Sequence, residues 1–188
     1  MIEGESLPTL DAPRVRLRWL SENDVDSLFR IFSDGPMMRY WSSTPMKDRS
    51  EAVDLLVRIH RQFAERSAFQ WGVERKEDGE LVGTCTIFSF HKTNMRAEIG
   101  YCLQSPHWKK GYMGEALGTL IDYAFGSLML RRLEADVDPA NASSLRILER
   151  MGFQREGLLR ERWNVGGVIA DSVMLGLLAR EWRGGARS

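Results

Sequence analysis

The sequence predicts a single α/β (α+β) domain built on a mixed sheet. Three observations carry that reading. Residues 14–20, RVRLRWL, alternate apolar Val15, Leu17 and Trp19 with Arg14, Arg16 and Arg18, the period of a half-buried strand. Residues 96–137 run strand, basic glycine-bearing loop, long helix, strand, the order of a right-handed parallel crossover. The whole chain reads strand, two helices, three strands, helix, strand, helix, two strands.

The elements follow in order. After the first strand, Ser21 can cap a helix, with Asp24 three residues on as in a capping box, and Val25, Leu28, Phe29 and Phe32 recur at helical spacing. Asp34, Gly35 and Pro36 stop that helix. A second helix is expected over residues 50–66, with Ala52, Val53, Leu55, Leu56, Ile59 and Phe63 on its apolar face. Strands are expected at 69–74, 81–90 and 96–103, the first two joined by the Asp-Gly turn of KEDG. A helix at 115–128 has Ala116, Leu117, Leu120, Ile121, Ala124, Phe125 and Leu128 inward. A strand at 133–137 precedes a helix at 141–151 that Gly152 ends, and strands at 153–162 and 168–177 close the chain.

Bulk properties narrow the function. A length of 188 residues suits one domain with a sizeable core, and 43% hydrophobic and 28% charged residues are ordinary for a soluble globular protein. The 26 basic and 26 acidic residues cancel, which argues against a nucleic-acid binder. No apolar run reaches the roughly 20 residues of a membrane helix, and residues 1–13 lack a signal core, so a cytoplasmic protein is expected. Cys85 and Cys102 sit in apolar strands and read as buried reduced thiols; no metal site is expected. Residues 1–13 and 181–188 read as a flexible arm and a loose tail around one domain at 14–180.

Two segments carry chemistry. In PHWKKGYMGEAL, residues 106–117, a strand passes through a glycine loop into a helix. Free N–H groups at a helix start favour an anion, Lys109 and Lys110 add positive charge, and Gly111 and Gly114 let a ligand approach the backbone. It is neither a nucleotide P-loop nor a dinucleotide fingerprint, because the glycine spacing and its place in the chain differ. By itself it could equally be a helix start with incidental glycines. In NASSLRILERMGF, residues 141–153, Asn141 is a plausible N-cap with Ser144 one turn in, and two capping residues on an ordinary helix is a fair competing reading.

Together with RVRLRWLSENDVDSLFRIFSD, LVGTCTI and AEIGYCL, these segments resemble the GNAT superfamily of N-acetyltransferases, and more closely its branch of ribosomal-protein N-terminal (alanine/serine) acetyltransferases. The resemblance covers about residues 14–178. It implies a mostly antiparallel mixed sheet of about seven strands flanked by about four helices, with a β-α-β core for acyl-CoA. It also implies acetyl-CoA as acyl donor and no metal. The backbone of Trp108, Lys109, Lys110, Gly111, Met113, Gly114 and Glu115 would meet the pyrophosphate, and Cys102 and Leu103 the pantetheine arm. Asn141 would hold the pantetheine and Ser144 would lie near the sulfur. Met113 stands where the family has a small residue, so its side chain must turn away from the phosphates or the loop must shift. Tyr40 and Trp41, between the first two helices, would wall the acceptor, or serve as core aromatics; Trp163 is open between an acceptor wall and hairpin packing.

An attacking amine must be neutral, and a peptide α-amine has a pKa of about 8 and a lysine amine about 10.4, so a base helps. Glu98 is the candidate base, through a water; the competing reading is a strand glutamate paired with Arg96. Ser144 is the candidate donor to the leaving sulfur, and direct attack in a ternary complex is expected. The acceptor expected is a protein or peptide N-terminal α-amine. A small-molecule amine (polyamine, amino acid or aminoglycoside) is one alternative; a non-catalytic acyl-CoA sensor is another. No direct contact with nucleic acid or membrane is expected. A homodimer through an exposed sheet edge is common in the family.

Overall fold

The computed structural model describes residues 4–184. The ends of the expected arm and tail, residues 1–3 and 185–188, lie outside it. Eight strands form one sheet: β1 (Leu10–Asp11), β2 (Val15–Arg18), β3 (Ala68–Arg75), β4 (Leu81–His91), β5 (Arg96–Leu103), β6 (Arg132–Val137), β7 (Gln154–Val165) and β8 (Val168–Leu178). The helices are α1 (Val25–Phe32), α2 (Gly35–Met38), α3 (Arg49–Ala64), α4 (Tyr112–Gly126) and α5 (Ala142–Arg150). The strand order is β1-β2-β3-β4-β5-β6-β8-β7, and every pair is antiparallel except β5 and β6. This is the mixed, mostly antiparallel fold expected, with one strand and one helix more. β1 and α2 span two and four residues, too short to show a period.

Each sheet face has its own core. Trp71, Val73, Cys85, Ile87, Ala97 and Ile99 pack with Leu117, Leu120 and Ile121 of α4 and Leu145 and Leu148 of α5. The opposite face buries Leu81 and Cys102 against α1, α2 and α3. The Ser21–Asp24 capping box forms, with Ser21 N–H donating to Asp24 at 2.8 Å, and Arg18 holds the same carboxylate bidentately at 2.7 and 2.8 Å.

Over its described part, the segment expected as an arm packs against the domain. Leu7 and Ala12 are buried, β1 pairs with β2, and the Trp71 indole donates to the Pro8 carbonyl at 2.9 Å. The segment docks because it covers apolar surface at the edge of the first core. Part of the tail is held too: Trp182 donates to Asp122 at 2.7 Å.

The feature that shapes the site is a divergence. Arg96, Ala97 and Glu98 of β5 pair with Arg132, Leu133 and Glu134 of β6, and there the pairing ends, although the strands run on to Leu103 and Val137. Beyond Glu98 the sheet is open between them.

Candidate functional site

A cleft of about 1960 Å³ passes through this opening. At one end it is lined by Arg14, Lys109, Gly111, Met113, Gly114 and Glu115, in its middle by Tyr101, Cys102, Leu103, Asn141 and Ser144, and at the other end by Met37, Tyr40 and Trp41. Ten of the eleven positions that the resemblance assigns to the acyl donor, Trp108 among them, line it. The exception is Lys110, which is exposed and does not line it.

The phosphate-ready end begins with a backbone reversal. Lys109 (φ 61) and Gly111 (φ 86) are both left-handed, and Gly111 is the N-cap of α4. The helix starts at Tyr112, three residues before the expected position, because Tyr112 and Met113 are already buried. The first-turn N–H groups of α4 have no intrahelical acceptor and sit at the positive end of the helix dipole. Met113 turns into the core, where the Cys85 thiol approaches its sulfur at 3.7 Å, so its side chain leaves the loop clear. Arg14, placed by β2, meets the same loop. Its guanidinium lies 5.1 Å from the Tyr112 ring centre, its Nε donates to Glu115 at 2.5 Å and its N–H donates to the same carboxylate at 2.8 Å. A Cβ on Gly111 would stand 2.8 Å from that guanidinium. Arg14 therefore partners the acidic residue in the first turn of α4.

In the middle, the Trp108 indole donates to the Leu103 carbonyl at 2.6 Å, fixing the exit of β5. Asn141 accepts the Ser144 N–H at 3.1 Å, so the capping reading holds for Asn141 while its side chain lines the cleft. The Tyr101 and Ser144 hydroxyls are 2.7 Å apart, and burial pushes the tyrosine pKa up, so it stays protonated and available as a donor. Burial raises both thiols, Cys102 to about 11, which keeps them protonated and poor nucleophiles.

Glu98 stands where the β5–β6 pairing ends and does not line the cleft. Its pairing with Arg96 does not form, because Arg96 binds Glu134 instead. Burial raises the Glu98 pKa, and Glu134 and Asp136 raise it further, against a hydrogen bond from Ser89 and the charge of Arg162. Ser89 (φ 53) belongs to a β-bulge where two residues of β4 oppose one of β5.

At the acceptor end, Tyr40 and Trp41 are half-buried; Trp41 packs edge-on against Phe32 at 5.7 Å, so it both packs and lines the cleft. Asp34, just before α2, accepts from the Ser105 N–H at 2.5 Å and from its hydroxyl at 3.1 Å, tying this end to the loop after β5. Trp163 lies on the β7–β8 hairpin and donates to Asp136 at 3.1 Å. Sequence reading missed Arg14, Tyr101 and Arg146, all of which line the cleft. Arg14 looks like one more arginine of an alternating strand. A polar hydroxyl at Tyr101, on the inward register of Ile99, was the one usable signal.

Matches to known proteins agree with this geometry. The family profile "Acetyltransferase (GNAT) domain" matches residues 14–154. The chain is 40% identical to "Uncharacterized N-acetyltransferase p20" of Bacillus licheniformis, covering 95% of this chain and 100% of that protein. It is 36% identical to YdaF of Bacillus subtilis (strain 168), named as a ribosomal N-acetyltransferase, covering 90% and 94%. It is 26% identical to the spermidine N(1)-acetyltransferase of Escherichia coli (strain K12), covering 91% and 89%. The solved structure of Mycobacterium smegmatis RimJ in complex with CoA-disulfide superposes with a TM-score of 0.87 at 26% identity, covering 95% and 91%.

Proposed function

The chain belongs to the GNAT acetyltransferase family and is an N-acyltransferase, and on that premise we propose that it moves the acetyl group of acetyl-CoA to the α-amine of a peptide or protein N-terminus. The observation that carries the reading is the single cleft running from the start of α4, through the β5–β6 divergence, to the aromatic wall at Tyr40 and Trp41. A ligand with a pyrophosphate at one end and a reactive thioester at the other fits that sequence of surfaces. The relative named for ribosomal substrates favours an N-terminal acceptor over a polycation, as does the fact that, among the described residues, no carboxylate lines the cleft beside Met37, Tyr40 and Trp41, Asp34 being turned to Ser105. The spermidine relative is the reason polyamines belong in the test.

In this reading the pyrophosphate rests on the backbone at Trp108, Lys109, Gly111, Met113 and Gly114. The pantetheine runs past Cys102 and Leu103 to Asn141. The neutral amine attacks the thioester carbonyl in a ternary complex, the oxyanion takes a backbone N–H at the end of β5, and the C–S bond breaks to release CoA thiolate. Ser144 donates to that sulfur. Tyr101, by donating to the Ser144 oxygen, leaves the serine hydrogen free to point at it. Glu98 takes the amine proton through water, since it lies off the cleft lining. A glutamate with a raised pKa is a better base near neutral pH than an ordinary one.

The test is CoA release from acetyl-CoA with peptides bearing Ala, Ser or Met termini, with polyamines and with aminoglycosides. Turnover of peptides alone supports the reading, polyamine turnover alone replaces it, and saturable acetyl-CoA binding without turnover points to a sensor. In Glu98→Gln, kcat is expected to fall about 10²-fold or more. The wild-type rate should drop as pH falls through the raised Glu98 pKa, and the variant should lose that limb; an unchanged profile removes Glu98 from the mechanism. Linkage has the opposite sense. The folded chain holds this proton more tightly than the unfolded chain, so the group's contribution to stability falls as pH rises from the ordinary glutamate range through the raised value. Glu98→Gln should flatten that slope in urea titrations at several pH values.

Tyr101→Phe is expected to lower kcat roughly five- to tenfold with little change in the KM for acetyl-CoA, as suits the loss of one hydrogen bond. In a Ser144→Ala background the same change should cost nothing more, because the two hydroxyls act as one unit. Additive losses in the double variant would separate them.

A further inference from the structure

A second cavity, of about 140 Å³, lies on the sheet face covered by α1, α2 and α3. Its floor is Gln70 and Thr86, cross-strand partners on β3 and β4. Its walls include Met46 and Leu55, and Trp41 belongs both to this cavity and to the acyl-donor cleft. Thr86 stands opposite Gly100 of β5, midway between Glu98 and Cys102 on the same face of that strand. Neighbouring strands are about 4.8 Å apart, so the cavity opens one strand spacing from the divergence where the acceptor amine must arrive. The Phe88 ring lies against Gly100, 3.3 Å from where a Cβ would stand, so the shared Trp41 wall is what joins the two spaces.

Size and charge limit what the cavity accepts. A cavity of about 150 Å³ admits a benzene ring, so this one suits a side chain no larger than leucine or methionine. The walls mix apolar Phe32, Met38, Trp41, Met46 and Leu55 with Ser43 and Arg58, and Gln70 and Thr86 offer hydrogen bonds from the floor. Arg58 is the one charged residue lining it among the described residues, and no carboxylate does.

We propose that this cavity receives the side chain of the acceptor's first residue and selects small to medium uncharged side chains against cationic ones. The proposal rests on the N-terminal acceptor reading and deepens it. It also separates this enzyme from one built for a polyamine, whose second cation would face Arg58.

The experiment compares kcat/KM for peptides that differ only in the first residue, Ala, Leu or Lys, in the wild type and in Arg58→Glu. Acetyl-CoA affinity is measured by calorimetry to verify the fold of the variant. Arg58 is exposed on α3, so the substitution should be tolerated. Leu-first peptides are expected to exceed Lys-first peptides by about tenfold or more, the scale on which apolar pockets discriminate. Arg58→Glu should shrink that ratio at least about fivefold by reversing the local charge, with acetyl-CoA affinity kept. A flat preference across the three peptides, or a ratio that Arg58→Glu leaves alone, overturns the assignment while peptide turnover still upholds the acceptor class. If Arg58→Glu instead shifts the preference between acetyl-CoA and butyryl-CoA, the cavity takes the acyl chain and the proposal fails. No turnover of any peptide removes the N-terminal reading and this assignment with it.

Discussion

Gly83→Ala is expected to lose about 3 kcal/mol of stability and most of its affinity for acetyl-CoA at once. Gly83 of β4 faces Leu103 of β5 across the ladder. A Cβ there would stand 2.2 Å from the Cys102 carbonyl oxygen and 3.1 Å from the Leu103 Cα. Both neighbours are backbone, so no side chain can swing aside and the strands must part. Overpacking of this kind costs about 1–3 kcal/mol and more when the obstacle is rigid. For a domain of this size that corresponds to roughly 6–12 °C in Tm. The displacement falls on the last residues of β5, beside the carbonyl that Trp108 holds and the loop that leads into α4, so acetyl-CoA should bind at least about tenfold more weakly. Thermal melts and calorimetry check both effects. Gly157→Ala is the control: a Cβ there meets nothing within 4 Å, and its Tm should stay near the wild type. An alanine at 83 with wild-type Tm and affinity would mean that the β4–β5 spacing yields at no cost.

Trp71→Ala is expected to cost about 3–5 kcal/mol, the range for deleting a buried aromatic, and to release the N-terminal segment. Trp71 is fully buried, packs edge-on against Tyr123 at 5.6 Å and anchors Pro8 through its indole N–H. Removing it leaves a void beneath Leu7 and Ala12 and takes away their tether. Limited trypsin digestion should then cut at Arg14 well before the rest of the chain, and urea unfolding should give the loss in stability. Because Arg14 is also the partner of Glu115 beside Gly111, the variant should show a raised KM for acetyl-CoA with kcat less affected. Destabilisation without early cleavage would show that β1 holds the segment without the indole.

Much of the architecture can be read from short-range signals. The bounds expected for β5 match the strand found, because Arg96 to Ile99 alternate and the apolar run that follows ends at Gln104 and Ser105. The helix after Asn141 begins where its cap places it, since an N-cap is a contact between residues three apart. The sequence predicts the start of α4 three residues late, because Tyr112 and Met113 look like loop residues until their burial is known. The acyl-donor loop was legible because glycines, lysines and a helix start lie together in one stretch.

What the chain alone determined is therefore the class of fold, the order of its long elements and the segment that faces a phosphate, all set by interactions within a few residues or by a period of burial. Tertiary structure decided the rest. Arg14 reaches Glu115 across 101 positions, Tyr101 reaches Ser144 across 43, and Trp71 holds Pro8 across 63. It also sent Arg96 to Glu134 and left Glu98 half-buried without an ion pair among the described residues. Such pairings depend on which strands lie side by side and where β5 and β6 part. Those are properties of the packed sheet, where each contact must be satisfied together with its neighbours, and no local pattern of residues encodes them.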